Sequence, residues 1–126
     1  MRPPGRRRPG QTWQSMSADE AAVITTIIAA SGVPGSQALL VDLDGALVSP
    51  SSTWILDINC PKTGPGSKLP DGPFPVRAFV PSAADYRGEV IVWISDGHLS
   101  GLEYAWITDE PPARWPRPDE IEVVRT

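Results

Sequence analysis

Glu89-Val-Ile-Val-Trp-Ile-Ser-Asp-Gly-His-Leu-Ser-Gly-Leu-Glu-Tyr-Ala-Trp-Ile107 decides the fold. Two apolar alternating runs flank Asp96-Gly97, the strongest short-range signal for a β-hairpin with a two-residue turn. Such a turn pairs Ser95 with His98, and strict alternation then assigns two faces. One carries Ile91, Trp93, Leu102, Tyr104 and Trp106 with Glu89, Ser95, His98 and Ser100. The other carries Val90, Val92, Ile94, Leu99, Ala105 and Ile107, with Glu103 among them. The second face is expected to be the core face, which makes Glu103 a buried carboxylate.

Upstream, Ser17-Ala-Asp-Glu20 is a capping box, with Ser17 as N-cap and Glu20 reaching back. Val23, Ile24, Ile27 and Ile28 follow at spacings of three and four, which predicts a helix to about Ser31 with one core-facing stripe. Gly32 and Pro34 end it. Ala38–Val48 and Thr53–Cys60 alternate and are expected to be strands, with Asp44-Gly45 as a tight turn inside the first. Residues 61–75 hold five prolines and three glycines and are expected to form a long surface loop. Val76–Val80 predicts a short strand, residues 109–118 run extended through four prolines, and Ile121–Val124 predicts a last strand. The sum is an α+β fold, an N-terminal helix packed on an antiparallel β-sheet of about four to six strands.

At 126 residues the chain has room for one domain. Residues 1–15 read as a disordered basic tail and 16–126 as a single α+β domain. Met16 is a candidate initiator. The acids Asp19 and Glu20 directly before the apolar stretch Ala21–Ala30 argue against a secretory leader.

Charge separates the two parts. Four of the eleven basic residues, Arg2, Arg6, Arg7 and Arg8, lie in the first ten positions. The remainder sets seven basic against fifteen acidic residues, a charge of about −8. That argues against a phosphate-binding surface, so no nucleic-acid partner is expected. No apolar run approaches the length of a bilayer span, so no membrane partner is expected either. Cys60 is the sole cysteine and His98 the sole histidine, which leaves no disulfide framework and no Cys/His zinc set. The expected compartment is cytoplasmic, with no cofactor.

Several groups are candidates for chemistry. Glu103, desolvated between Val90, Val92, Ile94 and Ile107, is an acid or base unless Arg77 or Arg87 pairs with it, and Asp96 and His98 are its catalytic companions. His98 itself, beside the hairpin tip, is expected to be exposed. Asp42, Asp44 and Asp57 are candidates for a hard cation if the two strands pair and bring them to one face. Cys60 is expected to be a buried, inert thiol. Trp93, Tyr104 and Trp106 on one face, with Trp115 from the Pro-rich segment, are the candidate binding groove.

Two resemblances attach to these segments. Leu40-Val-Asp-Leu-Asp-Gly-Ala-Leu47 resembles the first motif of haloacid-dehalogenase-type phosphotransferases. The chain departs from that family, because a Pro/Ser turn and a strand follow where a helix is needed, and both lysines precede Ser95. Asp96-Gly-His-Leu-Ser-Gly-Leu-Glu-Tyr-Ala-Trp106, Thr108-Asp-Glu-Pro-Pro112 and Asp71-Gly-Pro-Phe-Pro75 resemble the hallmark of a family of small bacterial proteins, mainly actinobacterial, with no activity attached to it. The similarity runs from Ala38 to Pro118. It implies that the Leu-Glu-Tyr stretch and the Asp-Glu-Pro-Pro turn matter for fold or contacts.

Two functions follow. The first is a non-enzymatic interaction protein, immunity- or antitoxin-like, with a protein partner or a homodimer. The alternative is a small enzyme that uses Glu103 with Asp96 or His98.

Overall fold

The computed structural model describes residues 11–61, 65–81, 86–106 and 111–125, with 86 and 87 described for backbone alone. Its elements run β1 (Gln14–Ser15), α1 (Ala18–Ser31), α2 (Gln37–Val41), β2 (Leu47–Ser52), β3 (Ile55–Asn59), β4 (Gly72–Pro73), β5 (Val76–Pro81), β6 (Tyr86–Ser95), β7 (His98–Trp106), a 3₁₀ turn (Pro118–Glu120) and β8 (Glu122–Arg125). The class is α+β. The antiparallel sheet has eight strands, in the order β1-β2-β3-β7-β6-β5-β8, with β4 also on β6. It is larger than the four to six strands expected, because two-residue strands such as β1 and β4 leave no alternating pattern to read. A strand also precedes the helix, so α1 is not the first element.

The start of α1 follows the capping box. Ser17 Oγ accepts from the Glu20 N–H at 3.1 Å, and Glu20 Oε1 accepts from the Ser17 N–H at 2.8 Å. Val23, Ile24, Ile27 and Ile28 are all buried. Gly32 stops the helix in the left-handed region, φ 65°. The guanidinium of Arg125 lies directly against Gly32, a cation at the negative end of the helix dipole.

Residues 37–41, expected to be extended, are instead the short helix α2. The alternation of Leu39 and Val41 with Leu40 and Asp42 does not correspond to a strand. Leu39 turns into the core at 0% exposure while Val41 points to solvent. The chain then turns through 42–45 and Gly45 (φ 76°) before β2 begins. Asp44-Gly45 is thus at a turn, but one between a helix and a strand.

The β6–β7 hairpin turns at Asp96 (φ 53°) and Gly97 (φ 77°), and Ser95 pairs with His98 as expected. Beyond that the alternation breaks. A β-bulge at Ser100 makes Ile94 pair with Leu99 but Trp93 with Gly101. Every residue from 101 to 106 is therefore turned to the face opposite the expected one. Burial explains why. Leu99, Leu102 and Tyr104 cannot share a face under strict alternation, yet all are at most 2% exposed. One extra residue puts all three in the core and takes Glu103 out of it.

The corrected register gives the sheet a definite inner face. Val48 lies opposite Ile58, Leu56 opposite Leu102 and Val92, and Tyr104 opposite Val90 and Ala78. These form one core with the α1 stripe, Leu39, Ile94, Leu99 and Phe74. Beside the β2–β3 turn, Trp54, Tyr104 and Trp115 pack together. Trp54 meets the other two rings edge-on at 5.7 and 5.3 Å, and Tyr104 stacks on Trp115 at 5.9 Å. α1 touches α2, β8 and the 3₁₀ turn, so the helical segments gather on this side.

Candidate functional site

The outer face of the sheet carries what the inner face rejects. Its central row runs Ile55, Glu103, Ile91 across β3, β7 and β6. A second row runs Ser49, Asp57, Gly101, Trp93, Pro73. A third holds Ala105, Glu89, Phe79 and Glu122. Among the described residues no helix lies on this side, and Ile55, Ile91, Trp93 and Phe79 are half-buried.

Glu103 sits at the centre and is 7% exposed. Gly101 opposite Trp93 leaves the indole free to reach along β7, and Trp93 Nε1 donates to Glu103 Oε1 at 3.2 Å. Arg77, one of the two arginines considered for it, pairs with another carboxylate. Arg77 donates from Nε and Nη2 to both oxygens of Glu89, at 2.5 and 2.7 Å, and lies 4.9 Å over the Phe79 ring. Glu89 holds the Arg77 guanidinium above its already high ordinary value. The Arg87 side chain lies outside the described residues.

Two clefts adjoin the outer face. One of about 220 Å³ is lined by Ser52, Ile55, Glu103, Ala105 and Trp106, with Trp54 and Tyr104 at its inner end. The other, about 370 Å³, is an apolar groove between Pro73, Phe74, Ile91 and Trp93, bordered by the Arg77–Glu89 pair.

His98 and Asp96 are far from this site. Five residues of extended chain separate His98 from Glu103, about 17 Å. Asp96 is at the hairpin tip, where its N–H donates to Asp71 at 2.9 Å. The expected catalytic grouping of Glu103 with Asp96 or His98 does not form. Glu103 is also not set among Val90, Val92 and Ile94, which the bulge leaves on the other face; Ile107 lies outside the described residues.

His98, expected to be exposed, is buried against Asp42. Its Nδ1 is 2.9 Å from Asp42 Oδ1, and Asp42 Oδ2 accepts the Leu99 N–H at 3.0 Å. Cys60 Sγ donates to the Leu99 carbonyl at 3.3 Å and is buried. On the far side, the Ser67 N–H and Oγ both donate to the Gly97 carbonyl, at 2.7 and 2.9 Å. The arrangement ties the hairpin tip to α2 and to the Pro-rich loop. It acts as a clamp, with Gly66 against the imidazole Nε2.

The three aspartates proposed for a cation are dispersed. Asp42 caps α2 and holds His98. Asp57 is on the outer face of β3, where Gln11 Nε2 donates to it at 2.6 Å, and Asp44 is exposed in the turn. They do not share a face because residues 37–41 are helical. Among the described residues no metal-ligand cluster forms. The four aromatics divide as well. Trp93 is on the outer face, Tyr104 and Trp115 are in the inner ring cluster, and Trp106 is 40% exposed at the end of β7. They do not make one groove.

Sequence reasoning placed the binding groove on the face of Ile91 and Trp93 but assigned Glu103 to the other face. Ser100-Gly101 within a strand is the signal that marks the bulge. It also placed Gln11–Ser15 in the tail, whereas Gln14 and Ser15 pair with Val48 and Leu47. Residues 1–10 and the Thr108–Glu110 part of the Asp-Glu-Pro-Pro segment lie outside the described residues. Among those described, no helix is long and apolar enough to cross a membrane. Comparison with family models, curated proteins and solved structures finds no match for the chain.

Proposed function

We propose that this protein is a non-enzymatic interaction protein that engages a protein partner through the outer face of its sheet. The observation that carries the reading is the asymmetry of that sheet. Helices cover the inner face, while the outer face presents Ile55, Ile91, Trp93 and Phe79 around two buried carboxylates, Asp57 and Glu103. A half-buried aromatic and aliphatic surface with a polar rim is the composition of a protein interface. The resemblance of Asp96–Trp106 to a family hallmark supports it further, because that segment supplies Glu103 and Ala105 to this surface. An enzyme would need Glu103 to work without Asp96 and His98, which are about 17 Å away.

The test is affinity capture from the native cell with the full chain and with Ile91→Glu, both checked for native circular dichroism. The expected result is one protein retained in stoichiometric amount by the wild type and lost from Ile91→Glu. Equal retention by both, or no specific protein at all, refutes the reading.

A further inference from the structure

The chain's own N-terminal segment arrives on the outer face. β2 separates β1 from β3, yet Gln11, just before β1, donates to Asp57 on the outer face of β3 at 2.6 Å. Strands lie about 4.7–4.9 Å apart, so a side chain that spans from β1 to β3 belongs to a backbone that has left the β1 ladder and crosses over β2. Ser49, the residue of β2 opposite Asp57, is 2% exposed. The ten residues before Gln11 therefore join the described chain on this face.

What those residues carry complements the surface. Met1–Gly10 holds Arg2, Arg6, Arg7 and Arg8, three prolines and no acid. The outer face buries two carboxylates, Asp57 and Glu103, in adjoining rows. Glu103 accepts from the neutral Trp93 indole, and no ion pair to it forms among the described residues. A guanidinium brought to a buried carboxylate offsets its desolvation with a charge-assisted hydrogen bond. Arg77 is engaged with both oxygens of Glu89. Arg87, whose side chain lies outside the described residues, is four positions along β6 from Ile91, the residue opposite Glu103, or about 13 Å.

The distances match. Glu103 lies one strand over and two residues along from Asp57, about 8 Å away. At about 3.1 Å per residue of extended backbone, Arg6, Arg7 and Arg8 come about 9–16 Å from Gln11, before their side chains are counted. The apolar groove at Pro73, Ile91 and Trp93 is three strands from Asp57, about 14 Å, within the span of about 22–25 Å that Pro3 and Pro4 can cover. Its volume is about 370 Å³, and an aromatic-lined groove is the surface that takes extended proline segments. The tether supplies a high effective concentration, so ion pairs that are weak one by one act together.

We propose that Met1–Gly10 lies across the outer face, from Asp57 toward the Pro73–Trp93 groove, with its arginines on the two buried carboxylates, and competes there with the partner protein. This rests on the reading of the outer face as an interaction surface and names what regulates access to it.

The test uses the full chain with a nitroxide on Gly5→Cys. Cys60, 6% exposed, stays in place, and wild type treated with the same reagent is the control. Paramagnetic broadening is expected to be strongest at the Ile55 and Ile91 methyls and the Trp93 indole N–H, and weakest at Ile24 and Ile28 of α1. The combined Arg6→Glu, Arg7→Glu, Arg8→Glu variant is expected to abolish that difference. Salt at 1 M, where the screening length falls from about 10 Å to about 3 Å, is expected to reduce it. Spin-labelled protein mixed with isotope-labelled wild type is expected to leave the latter unbroadened. Broadening spread evenly over both faces, broadening that survives charge reversal, or broadening transferred to the second copy overturns the proposal.

Competition has its own readout. Freed of the segment, the triple variant is expected to bind the captured partner about tenfold more tightly, the factor for a face covered about nine-tenths of the time. Equal or weaker binding overturns the competition. If the partner is lost with Ile91→Glu while the label shows no preference for the outer face, the interface stands and the docked segment falls. If the label localises there but no partner is captured, the interaction reading falls instead.

Discussion

Asp42→Ala is the substitution whose cost the structure sets most directly. Asp42 is 5% exposed and its two oxygens serve two buried donors, His98 Nδ1 and the Leu99 N–H. Alanine removes both acceptors at once. Leu99 is 2% exposed and His98 7%, so water has little access to replace them. A buried donor left without an acceptor costs about 1–3 kcal/mol, and two of them bring the loss to about 3–4 kcal/mol. That is a large part of the roughly 5–15 kcal/mol available to a domain of this kind. The corresponding fall in Tm is about 10 °C. Urea denaturation measures the loss, with an unchanged slope showing that the two states compared are the same. Asp44→Ala, two residues away and exposed, is the control and is expected to stay within about 0.5 kcal/mol of wild type. Hydrogen exchange locates the effect, since the Leu99 amide is expected to lose protection in Asp42→Ala well before the amides of Val90 and Val92. A loss below about 1 kcal/mol, or a Leu99 amide as protected as before, refutes the account of the clamp.

Two further outcomes follow from local geometry. Arg114 and the Arg117 N–H hold the Glu120 carboxyl down at about 2 against its ordinary 4.5. A depressed acid stabilises the fold above the unfolded value of 4.5, and the contribution is lost as pH falls through about 2, so a carbon-detected titration placing Glu120 near 4.5 refutes the pairing. Gly97→Ala puts a methyl group against the Ser67 carbonyl at a backbone φ of 77°, and left-handed strain alone costs about 1–2 kcal/mol. It is expected to lower the urea midpoint and raise exchange at the Ser67 amide, and a midpoint equal to that of wild type counts against the hairpin-tip packing.

Local signals in the sequence were sufficient wherever the governing interaction is itself local. The capping box fixes the start of α1 because both of its hydrogen bonds close within four residues. The Ile24–Ile28 stripe faces the core because its period matches the helix. Asp96-Gly97 forces the hairpin because few residues tolerate consecutive positive φ angles. The α+β class follows from these elements alone.

Tertiary structure decided the rest, for a common physical reason: competition for a limited core. Ala38–Leu40 and Val48 alternate well enough for a strand, but Leu39 fills space beneath α1 only as part of a short helix, and Asp42 then reaches His98 from 56 residues away. Three large side chains of β7 gain burial only if Ser100 bulges, and the same bulge moves Glu103 from the core to the centre of the outer face. The sequence alone determined that a hairpin exists and where it turns. Which of its faces meets α1, and so where its one buried carboxylate points, depended on the whole sheet, because a one-residue slip costs nothing locally and reverses every side chain beyond it.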